Sequence, residues 1–163
     1  MKYARLSKEQ LESLHKEFIN FLATQSITAE EWSDIKTNKP EVAEQEIDVF
    51  CDMVWEGVLN NVNYLEHFSK DQIHLFYLAE EKMHLVAVKI KNKEIDLLTD
   101  ECYKWLQKNL LNYDVSFFNA KKDYNDDKNL DKFKLIQQGA QITKGDLYSY
   151  FAKLLEGHKS ADI

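Results

Sequence analysis

Residues 73–90, IHLFYLAEEKMHLVAVKI, contain two apolar runs separated by a short polar break. Alternate side chains of a β-strand point to opposite faces of a sheet, and both faces of these runs are largely apolar. Such a pair of runs predicts an antiparallel hairpin. The run EIDLL at residues 94–98 predicts another strand, and Tyr64–Phe68 is a further candidate. We therefore expect a central antiparallel meander whose two faces both need a cover, either from helices or from a second copy of the chain.

Helical periodicity dominates the sequence before this meander. A capping box that begins at Ser7 predicts a helix over residues 7–23. A second capping box, at Thr28, predicts a short helix to about residue 37. Proline is favoured in the first turn, where its missing donor would be unpaired anyway, so a third helix is expected over residues 40–61.

Helices are also predicted after the meander. Thr99 and Thr143 are candidate starts of two of them. Residues 119–129, NAKKDYNDDKN, are polar and aperiodic, which predicts an exposed loop, and residues 157–163 are expected to fray. The sequence therefore predicts a single α+β domain over residues 1–163, with N-terminal helices, a central antiparallel β-meander and C-terminal helices.

Composition excludes several classes of function. The net charge of −7, from 28 acidic and 21 basic residues, disfavours contact with nucleic acid, because it repels phosphate. No apolar stretch approaches the roughly 18 residues of a membrane span, and the first ten residues lack the apolar core of a signal peptide. Cys51 and Cys102 have no metal-ligand spacing. We expect a cytoplasmic protein with free thiols, no cofactor and no metal.

The predicted third helix gathers its carboxylates along one side. At about 100° per residue, acidic residues spaced four apart form one stripe, and an indole falls inside the same arc. Like charges at this spacing cost a few tenths of a kcal/mol per pair, which a cationic partner would relieve. We therefore predict a non-enzymatic protein-interaction module that binds a basic surface of another protein. Its binding residues would be Glu44, Asp48, Asp52, Trp55, Glu56 and Leu59.

Two other interpretations of this stripe stay open. It is either a solvated face whose repulsion is screened by salt, or a face paired with Lys or Arg from another part of the same chain. The sequence also leaves open a homodimer joined through uncovered sheet. Exposure of Trp55 would favour the interaction module.

An enzyme or ligand-binding protein is the alternative function. Glu46 falls in the middle of the predicted apolar face, and a buried carboxylate needs either a partner or a raised pKa. Its expected partner is Arg5, the only arginine in the chain. In the alternative, a pocket between sheet and helices would use Glu46 with His67, His74 or His84 as acid/base groups.

The segment DYNDDKNLD, residues 123–131, places Asp or Asn at every second position, as a calcium-binding EF-hand loop does. The EF-hand pattern also needs glycine at its sixth position and glutamate at its twelfth, where this chain has Lys128 and Lys134. We therefore expect an ordinary Asp/Asn-rich loop.

Three segments carry a resemblance to a known family. They are KPEVAEQEIDVFCDMVWEGVLNNVNYLEHFSKDQIHLF (39–76), FINFLATQSITAEEW (18–32) and QGAQITKGDLYSYF (138–151). Together they resemble a family of small cytoplasmic proteins from flavobacteria and their relatives, a domain of unknown function. The resemblance covers nearly the whole chain and implies a bacterial, free-standing domain, but it assigns no catalytic or binding residue.

Overall fold

The computed structural model describes residues 1–159. Helices occupy the first and last parts of the sequence, and a five-stranded antiparallel sheet is formed mainly by the middle part. This confirms the predicted α+β fold class. The chain falls into two compact units, Met1–Asn60 and a second that begins at Asn61. The single domain over residues 1–163 stays a prediction.

The first unit is helical. Its helices are α1 (Lys8–Ser13), α2 (His15–Thr24), α3 (Ala29–Asn38) and α4 (Pro40–Asn61), the last of which ends on the first residue of the second unit. Both predicted capping boxes, at Ser7 and Thr28, are confirmed. The single helix predicted over residues 7–23 is wrong, because Leu14, at φ −97° and ψ 19°, separates α1 from α2.

Aromatic packing fixes the inner side of α4. The ring of Phe50, fully buried, meets Phe18 of α2 edge to face, with their centroids 5.0 Å apart. Trp32 of α3 meets Phe18 in the same way at 5.3 Å. Such ring pairs contribute about 0.5–1.5 kcal/mol beyond the burial of their area. The apolar face is narrower than predicted, since Val49 and Met53 are 53% and 47% exposed.

The second unit is built on the sheet. Its strands are β1 (Tyr64–Phe68), β2 (Gln72–Leu78), β3 (Lys82–Ile90), β4 (Val115–Asp123) and β5 (Gln141–Ile142), in the order β4-β3-β2-β1-β5 with antiparallel pairing throughout. The hairpin predicted over residues 73–90 is confirmed, with Leu75 opposite Val86.

Two segments of the second unit differ from prediction. Residues 94–98 form turns instead of a strand, and their apolar side chains Ile95 and Leu97 still pack in the core. The exposed loop predicted at residues 119–129 is wrong at both ends, since β4 continues to Asp123 and a helix begins at Lys128, where Asn129 is buried. Pairing with β3 explains the extension of β4, because Lys82 lies opposite Asp123 and forms a 3.2 Å salt bridge with it.

Three helices complete the second unit: α5 (Asp100–Lys108), α6 (Lys128–Gln137) and α7 (Asp146–Lys159). Thr99 caps α5 as predicted. The last helix starts three residues after Thr143, because the backbone N–H of Thr143 bonds to β1 at the carbonyl of Tyr64, 3.2 Å away. The tail expected to fray over residues 157–163 is helical to Lys159. Residues 160–163 lie outside the described residues.

Helices lie against both faces of the sheet. Side chains of β2 and β3, such as Leu75 and Val88, cluster with Leu106 of α5 and Phe151 of α7. On the other face, β1 and β2 pack with α6. None of the described helices is long and apolar enough to cross a membrane.

Candidate functional site

An extended segment, residues 2–6, contacts the carboxylates of α4. We call this the leading segment, and we call Glu44, Asp48, Asp52 and Glu56 the acidic stripe. The leading segment has no helix or strand. Every contact described for it below lies inside the first unit.

Asp52 holds the backbone of the leading segment. Its two carboxylate oxygens accept the backbone N–H groups of Lys2 at 2.6 Å and Tyr3 at 2.8 Å. Hydrogen bonds to a charged acceptor are about twice as strong as neutral ones. This contact recognises an extended main chain and does not depend on the side chains that the chain carries.

Glu56 binds the side chains next to that backbone contact. Its Oε2 accepts the hydroxyl of Tyr3 at 2.5 Å and the ammonium of Lys2 at 3.1 Å. The Tyr3 residue is buried. Burial, together with the hydrogen bond to Glu56, raises the pKa of Tyr3 above its ordinary value, so the phenol remains a donor.

Arg5 bridges two carboxylates of the acidic stripe. Its Nε donates to Asp48 Oδ1 at 2.8 Å, and its terminal nitrogens bond to the carboxylates of Glu44 and Asp48. These hydrogen bonds, with Glu44 first, raise the pKa of Arg5. The predicted partner of Arg5 was Glu46, which is wrong, because Glu46 is half-buried and the guanidinium is held by Glu44 and Asp48.

Trp55 and Leu59 are not open contact residues. The indole of Trp55 is half-buried, and its Nε1 donates to the carbonyl of Ala4 at 3.0 Å. Leu59 is fully buried. The prediction that Trp55 and Leu59 offer an open binding surface on the acidic face is therefore wrong. Leu59 lies nine residues after Phe50, which is about 180° round α4, so its burial has a different cause from that of Phe50.

The acidic stripe is thus paired within the chain, which was one of the open interpretations. Sequence reasoning missed the leading segment, although a signal was present. Three residues of extended chain span about 10 Å, and the eight residues from Asp48 to Glu56 rise about 12 Å along a helix. The donors Lys2 and Arg5 are therefore about as far apart as their acceptors Glu56 and Asp48.

The alternative acid/base residues lie on different elements. Glu46 is on α4 in the first unit, whereas the three histidines belong to strands of the second. Across β1 and β2, His67 and His74 face each other with ring centroids 6.1 Å apart. His84 on β3 lies against Tyr77, at 5.6 Å. The structure therefore pairs two histidines, and a Glu46–His site stays a prediction.

His74 and His84 are both harder to protonate than a free histidine. Burial, and then the charge of His67, lowers the pKa of His74. Burial and the nearby ammonium of Lys121 lower the pKa of His84.

The carboxylates of the Asp/Asn-rich segment, residues 123–131, accept hydrogen bonds from other residues of the same segment. Asp131, which is buried, accepts the backbone N–H of Asn125 at 2.8 Å and its side-chain amide at 2.8 and 2.9 Å. Asp127 caps α6 by accepting the N–H of Leu130 at 3.0 Å. Among the side chains that the structure describes, residues 1–156, no three from His, Cys, Asp or Glu gather as a metal site would require.

The fold and this network define an α+β protein whose first unit holds its own basic segment on an acidic helix. The chain belongs to a family of unknown function, DUF6495, whose model matches residues 1–156. No curated protein matches the chain, and no solved structure matches it either. Membership confirms the resemblance to a family of unknown function, and it assigns no activity. The flavobacterial source and cytoplasmic location stay predictions.

Proposed function

We propose that the protein is a non-enzymatic interaction module whose α4 binds an extended basic segment of another protein. In the isolated chain the leading segment occupies this surface, and a partner segment of the same chemistry replaces it. The observation that carries the proposal is the capture of two consecutive backbone N–H groups by Asp52, at 2.6 and 2.8 Å. Such a contact suits any extended peptide.

The contacts of the leading segment define the chemistry of the partner. A hydroxyl-bearing aromatic residue suits Glu56, as Tyr3 does. Two residues later, a guanidinium suits Asp48 and Glu44, because its planar fork bonds two carboxylates at once, which a lysine ammonium does less well. The partner segment therefore has the pattern Lys-Tyr-x-Arg, followed by an apolar residue.

Tethering explains how the surface is controlled. A segment on the same chain acts at an effective concentration of about 1 mM or more, so a free peptide at micromolar concentration competes poorly. Exposed ion pairs are worth only about 0–1 kcal/mol each, and the Arg5 side chain is 38% exposed. Exchange of the Arg5 ion pairs for those of a partner is therefore inexpensive in free energy. The buried Tyr3 and its hydrogen bonds are replaced only by a partner segment that makes the same contacts and is presented at high local concentration.

Fluorescence anisotropy with a labelled, N-acetylated peptide of residues 1–8 tests the proposal. In the Arg5→Glu variant the new carboxylate repels Glu44 and Asp48, which loosens the leading segment while α4 keeps its own residues. We expect this variant to bind the peptide, and the wild-type protein to bind it at least about tenfold more weakly.

Two controls make the experiment decisive. A Lys16→Glu variant carries the same charge change on exposed α2 and should behave as the wild type. A peptide with glutamate in place of its arginine should bind neither protein. If Arg5→Glu keeps its helical circular-dichroism signal but fails to bind the peptide, α4 is not a recognition surface.

A further inference from the structure

The second unit contains a largely apolar cleft between α5 and α7. Its volume is about 310 Å³, and its walls include Leu106 and Leu110 from α5 and Leu147 and Phe151 from α7. Ligand pockets in proteins begin at about 300 Å³. The cleft is therefore large enough for a short alkyl chain or a single aromatic ring.

A second cleft, more polar, shares a wall with the first. It has a volume of about 520 Å³ and lies along β1 at Glu66 and His67 and at the start of α5. Tyr103 lines both clefts. A ligand beside Tyr103 would meet the apolar cleft on one side of the Tyr103 ring and the carboxylate of Glu66 on the other.

Neither cleft is lined by lysine or arginine. The second cleft is lined by the carboxylates of Glu66 and Asp100 and by the imidazole of His67, whereas the first has no charged side chain. Glu66 is held in place by the hydroxyl of Thr143, which donates to its Oε1 at 3.1 Å. An anionic head group would meet no lysine or arginine here, whereas a cationic one would meet a fixed acceptor in Glu66.

The electrostatics of Tyr103 agree with this arrangement. Burial, and then the charge of Glu66, raises the pKa of Tyr103, against a hydrogen bond from Gln107 that lowers it. The phenol therefore stays neutral, and its ring lines both clefts, beside the place where a cation would meet Glu66.

We propose that these clefts bind a small amphipathic amine, with its apolar chain or ring between α5 and α7 and its cationic nitrogen at Glu66. All the residues that line the two clefts belong to the second unit. The proposed site differs from the predicted acid/base pocket, because Glu46 takes no part in it.

Isothermal titration calorimetry with hexylamine, hexanol and hexanoate tests the proposal, since the three share one alkyl chain. We expect hexylamine to bind more tightly than hexanol, and hexanoate to bind more weakly than either. Glu66→Gln removes the charge but keeps an oxygen for the Thr143 bond, and it should weaken hexylamine about tenfold. Glu94→Gln, a matched change on an exposed loop residue that lines neither cleft, should have no effect.

A second variant separates loss of the site from loss of the fold. Leu110→Trp fills the apolar cleft without touching Glu66 and should abolish binding of all three ligands at an unchanged melting temperature. The proposal is overturned if hexanol binds as tightly as hexylamine, if Glu66→Gln leaves hexylamine binding intact, or if none of the three ligands binds the wild-type protein.

Discussion

Asp52→Ala isolates the contribution of the leading segment to stability. The substitution removes the acceptor of two hydrogen bonds, an exposed one from the backbone N–H of Lys2 and a part-buried one from that of Tyr3. Hydrogen bonds to charged groups contribute about 1.5–3 kcal/mol, and the exposed one contributes least because water replaces Asp52. We therefore expect the two lost hydrogen bonds to lower the free energy of unfolding by about 2 kcal/mol. Alanine recovers about 0.6 kcal/mol through its higher helix propensity, which leaves a net loss of about 1.5 kcal/mol.

Urea unfolding followed by circular dichroism measures this loss, and hydrogen exchange locates it. The amides of Lys2 and Tyr3 should exchange faster in Asp52→Ala, whereas those of the Phe50 turn should not. Asp52→Asn keeps one acceptor oxygen and should lose about half as much. If the free energy of unfolding in Asp52→Ala is unchanged or higher, the leading segment contributes nothing and its docking on α4 is not a stable contact.

Three other predictions concern stability. Since the pKa of His74 is lowered by burial and by the charge of His67, the unfolded chain takes up a proton first, and stability should fall as the pH drops through about 6.5; in His74→Gln the melting temperature should depend less on pH. Gly145→Ala should lower the free energy of unfolding by more than about 1 kcal/mol, because Gly145 has φ +84° and a Cβ would lie 2.4 Å from the ring of Tyr64. Gly57→Ala should raise the free energy of unfolding by about 0.5–1 kcal/mol in the same thermal melts, because a Cβ at this helical position would have no heavy atom within 4 Å. In the native protein the buried ammonium of Lys132 donates to the backbone carbonyl of Val62 at 2.8 Å. Lys132→Met removes this donor and should lower the free energy of unfolding in urea by about 1–3 kcal/mol.

Local signals were enough to predict most helices and the central hairpin. A capping box such as that at Ser7 or Thr28 acts within four residues, so its outcome does not depend on the rest of the chain. The break at Leu14 escaped prediction because apolar periodicity continues across it. Residues 115–123 escaped for the opposite reason, since an edge strand exposes its polar side chains and lacks the apolar alternation of a buried one.

The candidate site was only half predictable. Helical geometry placed the acidic stripe on one side of α4, but its partners come from residues that precede them by 39 to 54 positions. No periodicity links Arg5 to Asp48 at such a distance along the chain. The position of Trp55 was missed for the same reason, because its indole bonds to a carbonyl of the leading segment.

β4 ends the sheet on one side, so within residues 1–159 its outer edge carries unpaired backbone groups. Long bare edges of this kind are templates on which fibrils grow. Lys121 and Lys122 stand next to each other near its end, and neighbouring residues of a strand project from opposite faces. A second copy that paired with this edge would have an ammonium group on each face of the new strand pair. These two lysines therefore disfavour edge-to-edge association when the protein is concentrated.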